Sequence, residues 1–215
     1  TLSAAVTAAQ DLVILKPRES GASANSGALT LTTTADTTLR AGRDLLITSG
    51  DGSDQITLLG GLSVDGDIVI TLNGGLEATA QVLTTTSVTS GGSLSISATG
   101  SVSNTVAMSG TVTATDALSV SLGSGDDALT VTGAVTAASL WLSTGRGADS
   151  VSIGGAVTST AGDVTFDLGD DRDDDSLTLS AAVTAAQDLV ILKLAQVDWI
   201  ASVGTPQVVA LQQGD

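Results

Sequence analysis

The chain lacks cysteine and histidine and has few aromatic residues. Its 215 residues include no Cys, no His, two Pro and three aromatics, which are Trp141, Phe166 and Trp199. Without cysteine there is neither a disulfide framework nor a thiolate metal site. Without histidine the commonest general base is missing, and no Ser-His or Cys-His nucleophile can be assembled. We therefore expect a protein that is not an enzyme.

Basic residues are scarce and long apolar runs are absent. Lys and Arg number 7 against 23 Asp and Glu, which gives a formal net charge of −16. A chain this acidic is repelled by nucleic acid and by anionic membranes, but it attracts cations. No run of about 18 apolar residues is present, so no membrane helix is expected. We expect neither a nucleic-acid partner nor membrane insertion.

The most informative feature that is present is a repeat. Residues 1–16 and 178–193 both read TLSAAVTAAQDLVILK, and an internal identity of this length indicates repeated structural units. The apolar residue of the Ala-Val-Thr corner recurs along the chain. Six of the seven steps between its occurrences lie between 22 and 26 residues. The occurrences are Val6, Leu39, Leu62, Val88, Val112, Val135, Val157 and Val183.

Each corner is flanked by two segments in which apolar and polar residues alternate, which is typical of β-strands with one buried face. The segment after the corner begins at residues 12–14 and ends the series at residues 189–191. The segment before the corner is clear at residues 29–31 and 56–58, and less regular near Val82. The middle residue of each triplet faces solvent in this pattern, so Trp141 is expected to point outward.

A period of about 24 residues with two strands and a short corner strand predicts an all-β fold, a single-chain parallel β-helix or β-solenoid of about eight coils. An antiparallel sandwich is the alternative, but it does not require one column to keep one chemistry through successive units. The solenoid domain is predicted to span residues 1–193, with an inserted loop at 16–26.

Residues 194–215 match no repeat unit and are predicted to form a C-terminal cap or connector. A cap would bury Trp199 and Ile200 over the open end of the stack, because a solenoid end exposes unpaired strand edges. An uncapped end joins other ends. The identical first and last units would make such ends alike, so self-association end to end is a candidate mode of assembly.

A polar corner follows each second strand and is rich in glycine and acid. Three of these corners fit G-x-G-x-D-x-U, where U is a large aliphatic residue, at positions 50–56, 123–129 and 145–151. The motif resembles the RTX-type calcium-binding repeat of secreted bacterial proteins. It departs from that repeat because Ser49, Leu122 and Thr144 replace the leading glycine, and because it recurs every 24 residues or so.

Stacked coils would crowd these acids along one edge, where like charges destabilise a sheet. Arg146 and Arg172 lie within this edge. Calcium is the candidate cofactor, since this hard cation takes six to eight oxygen ligands, and simple solvated acid is the alternative. The predicted metal-site residues are Asp51, Asp54, Asp126, Asp127, Asp149, Asp170, Asp171, Asp173 and Asp175.

Short Thr/Ser/Val strands, Gly-Asp corners and a duplicated unit together resemble the β-strand-repeat regions of large secreted bacterial proteins, such as adhesins, filamentous-haemagglutinin-like exoproteins and surface-layer proteins. The resemblance implies an exported, non-catalytic structural or adhesive module at the bacterial cell surface. Its partners would be further copies, other surface proteins or glycans.

Two other classes of function stay open. A binding solenoid would use Trp141, or the threonine-rich column that follows the corner residues, to hold a carbohydrate or ice. A β-helical, polysaccharide-active enzyme would use paired carboxylates, but three aromatics leave little material for sugar platforms.

Overall fold

A computed structural model of the chain describes residues 2, 4–16, 28–74, 80–169, 171–193, 200–203 and 210–212. The regular elements in these residues are β-strands, and every pairing between them is parallel. Successive coils stack into three sheets, so the predicted parallel β-solenoid is confirmed and the antiparallel sandwich is excluded. No helix in the described residues is long and apolar enough to cross a membrane.

Each complete coil contributes one strand to each of three sheets, in the order sheet III, sheet I, sheet II, and the coils are numbered 1 to 8 by their sheet I strand. Sheet I holds the short corner strands Val6–Ala8, Leu39–Ala41, Leu62–Val64, Val88–Ser90, Val112–Ala114, Val135–Ala137, Val157–Ser159 and Val183–Thr184. Sheet II holds Leu12–Leu15, Leu45–Thr48, Ile68–Asn73, Leu94–Thr99, Ala117–Ser121, Ser139–Ser143, Val164–Asp167, Leu189–Leu192 and Ala210–Gln212. Sheet III holds Thr30–Thr33, Gln55–Leu58, Ala80–Thr85, Ser103–Met108, Ala128–Val131, Ser150–Ile153, Ser176–Leu179 and Ile200–Val203.

The columns predicted from the repeat appear as register pairs. Val6 pairs with Leu39, and the series continues without a slip to the pair of Val157 and Val183. The hydroxyl-rich column beside it runs in the same register from Thr7 to Thr184. A slip of one residue would turn every apolar side chain to solvent, so the alternating pattern fixes this register.

The core is one continuous aliphatic cluster inside the three sheets. Alternate strand residues are buried in nearly every coil, as the period-two pattern requires. Phe166 is fully buried among the aliphatic side chains. Trp141 faces outward as predicted, with 48% of its surface exposed.

Sheet III departs from the sequence reading in its first coils. In coil 2 the strand is Thr30–Thr33, and Leu31 rather than Leu29 pairs with Ile56. The inward positions are Leu31 and Thr33. Leu29 lies before the strand, where its amide donates to the carboxylate of Asp54. In coil 4 the inward residue that pairs with Ile56 is Leu83, which resolves the irregular unit near Val82.

Two strands of the C-terminal segment continue the stack. Ile200–Val203 pairs with Ser176–Leu179 in sheet III, and Ala210–Gln212 pairs with Leu189–Leu192 in sheet II. Parallel pairing thus extends beyond the last unit that the sequence pattern identifies. Trp199, on which the cap prediction depends, and residues 17–27, which include nearly all of the predicted inserted loop, lie outside the described residues.

Candidate functional site

The corner between sheets II and III carries a column of buried polar side chains, called here the acid column. Each member either immediately precedes a sheet III strand or is the second residue of one, so the parallel register stacks the members one per coil. All of them are buried, with at most 4% of the residue surface exposed. From coil 3 to coil 8 the acid column consists of Asp54, Gln81, Asn104, Asp127, Asp149 and Asp175.

Side chains of the acid column accept hydrogen bonds from the backbone of the preceding coil. The amides of Asn104, Asp127 and Asp149 donate to Oδ1 of Asp127, Asp149 and Asp175 respectively, at 2.7, 2.8 and 2.8 Å. At the other end, the amide of Leu29 donates to Asp54 Oδ1 at 2.6 Å. One oxygen of each carboxyl therefore ties two coils together at a point where the chain leaves the regular sheet.

The second carboxyl oxygen of these residues lies in a different environment. Oδ2 of Asp54, Asp127 and Asp149 is buried and has no hydrogen-bond partner within the described part of the chain. A buried, unpaired carboxylate oxygen is costly, and the cost falls if the group binds a proton. The acid column therefore combines a structural oxygen with an oxygen that is available to a proton or a cation.

The pKa values of these carboxyls follow from this burial. Burial raises the pKa of Asp127 to about 7 and that of Asp149 to about 6, although backbone hydrogen bonds act in the opposite direction. Neighbouring members of the column add to the increase, because each carboxylate repels charge on the next. Burial also raises the pKa of Asp54 and of Asp175.

Lys193 is a buried basic residue that contacts the acid column. Its side chain is only 2% exposed, and its Nζ contacts Asp175 Oδ2. Nζ also donates to Asp171 Oδ1 at 3.2 Å and to the carbonyl of Asp173 at 3.1 Å. Burial acts to lower the pKa of Lys193, but the two carboxylates outweigh it and the pKa is raised. The ammonium neutralises the column at coil 8.

The structure separates the predicted metal-site residues into two groups. Asp54, Asp127, Asp149 and Asp175 are buried in the acid column, whereas Asp126 and Asp173 are exposed and Asp51 and Asp171 are half-buried. Asp54 is also remote from the others along the stack, since Gln81 and Asn104 occupy the two intervening coils. Asp170 lies outside the described residues.

Acids outside the column bind backbone amides across coils. Asp126 Oδ1 accepts from the amide of Ala148 at 3.0 Å, and Asp171 Oδ2 accepts from the amide of Gly147 at 2.7 Å. Burial acts to raise the pKa of Asp171, but hydrogen bonds from the amides of Gly147 and Asp173 and the charge of the Lys193 ammonium outweigh it, and the pKa is lowered. Charge crowding at this edge is thus relieved partly by hydrogen bonds that the sequence does not reveal.

Sequence reasoning missed two members of this site. Gln81, the second residue of strand Ala80–Thr85, occupies the column in coil 4 and pairs with Asn104 of the next coil. Lys193 was overlooked as a buried cation. The sequence position of Lys193 could have indicated this role. Lys193 directly follows a sheet II strand, at the start of the corner that carries acidic residues in other coils.

The fit of this corner to calcium is limited. In the described residues, no three acidic side chains come together in a way that could hold a metal ion. Column members sit singly, one per coil, and Lys193 already occupies the Asp171 and Asp175 side. A calcium ion here would depend on backbone carbonyls or water for most of its six to eight oxygens. Calcium binding stays a prediction.

A shallow cleft of about 350 Å³ lies outside the same corner, across coils 5 to 7. Its lining is small and polar and includes Ser124, Ser143, Arg146 and Asp167. Gly145 contributes backbone with a φ of +95°, a conformation that glycine adopts readily. The cleft is wide and flat rather than enclosing, unlike the concave pockets typical of small-molecule sites.

Comparisons of the chain with protein-family models, with curated proteins and with solved structures give no match.

Proposed function

We propose that this chain is a non-catalytic structural module of an extracellular bacterial surface protein, in which the solenoid acts as a stiff spacer or display platform. The observation that carries the proposal is the unbroken register of the three parallel sheets. A stack of eight coils at about 4.8 Å per coil is a rod roughly 40 Å long. Its interior is one aliphatic column, and its outer strand positions are mostly small hydroxyl residues.

A spacer differs from an enzyme in how it tolerates changes of length. Each coil contacts only its neighbours, so coils can be added without disturbing a localised site. Residues 112–134 form one complete period, because Val112 and Val135 are register partners. Inserting three further copies of this segment after residue 134 is expected to lengthen the rod by about 15 Å.

Small-angle X-ray scattering measures this length, and circular dichroism with thermal melting checks that the longer chain still unfolds in one transition. A permuted insert, with the composition of residues 112–134 but without alternation, is the matched control and should not extend the rod. Failure of the native insert to lengthen the particle would contradict the spacer role.

Self-association and attachment to other surface molecules are part of the proposal. The resemblance to adhesin-like repeat regions supports them. Calcium would add stiffness. A rise in melting temperature with millimolar calcium, but not with magnesium, supports the cation role, and an equal response to both ions removes it.

A binding role is the second candidate, and the exposure of Trp141 favours it. The ring lies on the outer face of sheet II between Ser119 and Thr165 of the adjacent coils. An aromatic ring flanked by hydroxyls offers a flat apolar surface with polar neighbours, which suits a sugar. A glycan array with the wild-type chain and with Trp141→Thr tests this role, since a genuine sugar signal must disappear in the variant.

The enzyme alternative has its own test. Polysaccharide cleavage must first be observed, and must then be lost in Asp170→Asn and Asp173→Asn. The buried Asp127 and Asp149 are poorly placed for such chemistry, because at 1% exposure they do not reach a polymer outside the rod.

A further inference from the structure

The contact between Lys193 and Asp175 joins the two ends of one coil. Asp175 directly precedes the sheet III strand Ser176–Leu179, and Lys193 directly follows the sheet II strand Leu189–Leu192. Between these two residues the chain passes once through each of the three sheets and so completes coil 8. A covalent bond between the two side chains would therefore close coil 8 into a ring.

The two side chains are enclosed by the protein and held in contact. The side chain of Lys193 is 2% exposed and that of Asp175 is 0% exposed, and Nζ contacts Asp175 Oδ2. Nζ also lies 3.2 Å from Asp171 Oδ1 and donates to the carbonyl of Asp173 at 3.1 Å. An amine and a carboxyl held together in this way can react with a high effective concentration.

The two oxygens of Asp175 have different partners. Oδ2 contacts Nζ, whereas Oδ1 accepts a hydrogen bond from the amide of Asp149 at 2.8 Å. When an amine attacks a carboxyl carbon, negative charge develops on the oxygen that remains, and a fixed backbone amide stabilises that charge. Oδ1 is therefore placed to carry the charge, and Oδ2 is placed to leave.

The ion pair is the resting state, and one proton transfer makes it reactive. Passage of a proton from Nζ to Oδ2 gives a neutral amine and a neutral carboxylic acid. Two ions buried away from water carry a large desolvation cost even when they are paired, and the neutral pair avoids this cost. The lone pair of the amine is then free to attack Cγ of Asp175.

We propose that Lys193 and Asp175 form an intramolecular amide crosslink, and that Asp171 catalyses its formation. The bond between Nζ and Cγ forms, and the bond between Cγ and Oδ2 breaks. Asp171 Oδ1 accepts a proton from the attacking nitrogen and returns it to the departing hydroxyl, so one water is released and Asp171 is unchanged. The balance requires no oxidant or co-reactant.

The crosslink goes beyond the proposed spacer role and does not depend on it. The amide replaces two buried charges with a neutral group, and it restricts the unfolded chain by closing a loop. Because each coil is held by its neighbours, a stack of this kind can unwind coil by coil. A covalently closed coil 8 would stop such unwinding at that coil.

The mass of the intact full-length chain tests the proposal. The wild-type chain is expected to be lighter than its sequence mass by one water. Lys193→Arg is the matched control and should keep its full mass, because a guanidinium retains the charge but stays protonated and does not attack a carboxyl. A wild-type chain that keeps its full mass after prolonged incubation at neutral pH overturns the proposal.

Amine labelling and digestion locate the bond. The chain has two lysines, Lys16 and Lys193. In the denatured wild-type chain, reductive methylation should modify Lys16 but not Lys193. Trypsin should release residues 173–215 as one peptide that is lighter by one water, because the crosslinked lysine is not cleaved. A lighter chain in which Lys193 still reacts has lost its water elsewhere, as in a succinimide at Asp51 or Asp65, and contradicts the proposal.

The role of Asp171 is tested by the rate of crosslinking. The fraction of the lighter mass is followed after cell-free synthesis of the full-length chain, and circular dichroism shows that each variant is folded. Asp171→Asn should slow the reaction by about a hundredfold, and Asp171→Glu should restore most of the rate. Asp174→Asn, at an exposed neighbouring position, should react as the wild type does. A wild-type rate in Asp171→Asn contradicts the catalytic role, and a crosslink that persists in Asp175→Ala contradicts the assigned partner.

Discussion

At the scale of the residue, Asp127 shows how a carboxyl can both stabilise and destabilise one corner. Its Oδ1 accepts hydrogen bonds from the amide and the side-chain Nδ2 of Asn104 at 2.7 and 2.8 Å, whereas its Oδ2 is buried without a partner. A proton on Oδ2 leaves the cross-coil bonds intact and removes the buried charge. The fold therefore prefers the protonated acid.

This preference predicts how the free energy of unfolding changes with pH. The pKa of Asp127 is about 7 and that of Asp149 about 6 in the fold, against 3.8 for an ordinary aspartate, so folding retains protons that the unfolded chain releases. Their stabilising contribution is complete below pH 4, declines between pH 4 and pH 7, and is absent above pH 7. As pH rises across this range, the free energy of unfolding of Asp127→Asn should increase relative to that of the wild type by more than about 1 kcal/mol. Denaturant unfolding at each pH measures this difference.

Asn104 makes this substitution a fair test, because the acid column already accommodates an amide in the adjacent coil. Asp65→Asn, at an exposed position in the corner between sheets I and II, is the control and should keep the pH profile of the wild type. If Asp127→Asn runs parallel to wild type from pH 4 to pH 8, the buried carboxyl does not titrate as described.

A second residue-scale prediction concerns Gly145. Its φ is +95°, and a Cβ at this position would lie 1.7 Å from the carbonyl oxygen of Gly123 in the preceding coil. Gly145→Ala should therefore lower the free energy of unfolding by more than about 1 kcal/mol. Thermal or denaturant unfolding measures the loss.

Gly154 is the matched control, because a Cβ there would meet nothing closer than Thr132 Cα at 3.6 Å. Gly154→Ala should leave stability unchanged or slightly increase it through reduced entropy of the unfolded chain. If the two substitutions change the free energy of unfolding equally, the close approach of Gly123 to Gly145 does not determine stability at this corner.

At the scale of the strand, Phe166 and Trp141 place the two described aromatic residues on opposite faces of sheet II. Phe166 is fully buried and Trp141 is 48% exposed. Phe166→Ala should cost about 3–5 kcal/mol, because it leaves a cavity in the aliphatic core. Trp141→Thr should change stability by less than about 0.5 kcal/mol, since threonine suits an outward strand position. Comparison of the two melting curves checks both values.

The strands of sheets I and II could be predicted from the sequence because their apolar alternation admits one register. Sheet III was harder at coil 2, where residues 29–33 read Leu-Thr-Leu-Thr-Thr and the register with Leu29 and Leu31 inward looks more apolar than the observed one with Leu31 and Thr33 inward. The structure selects the one that frees the Leu29 amide to bind Asp54 Oδ1. A hydrogen bond between residues 25 positions apart decided the register, and pattern reasoning cannot see such a bond.

The candidate site was predictable in location but not in arrangement. Repeated Gly-Asp corners correctly placed Asp127, Asp149 and Asp175 above one another. Which acids turn inward depends on the exact corner geometry, and the corner ending at Gln81 differs in length from the others. The role of Lys193 required knowledge of contacts across coils.

At the scale of the whole molecule, the structure is held by one aliphatic core that repeats from coil to coil. Each side chain of the interior packs against its equivalents in the coils above and below, so the apolar cluster is continuous from Leu31 to Ile191. The described exposed acids lie outside this column, where water screens their charge. Stability is expected to propagate from coil to coil, as in other linear repeat architectures.

The duplicated unit gives the molecule an internal reference for measuring this propagation. Amide hydrogen exchange depends on local sequence and on protection by the fold. Residues 12–15 and 189–192 share their sequence and flanking residues within the unit, so their unprotected rates are nearly equal. The ratio of their observed rates in one sample isolates what an adjacent layer contributes to protection. Slower exchange at 189–192 would express as a free energy what the coil paired through Val164–Asp167 adds to this strand, with no mutation and no second protein.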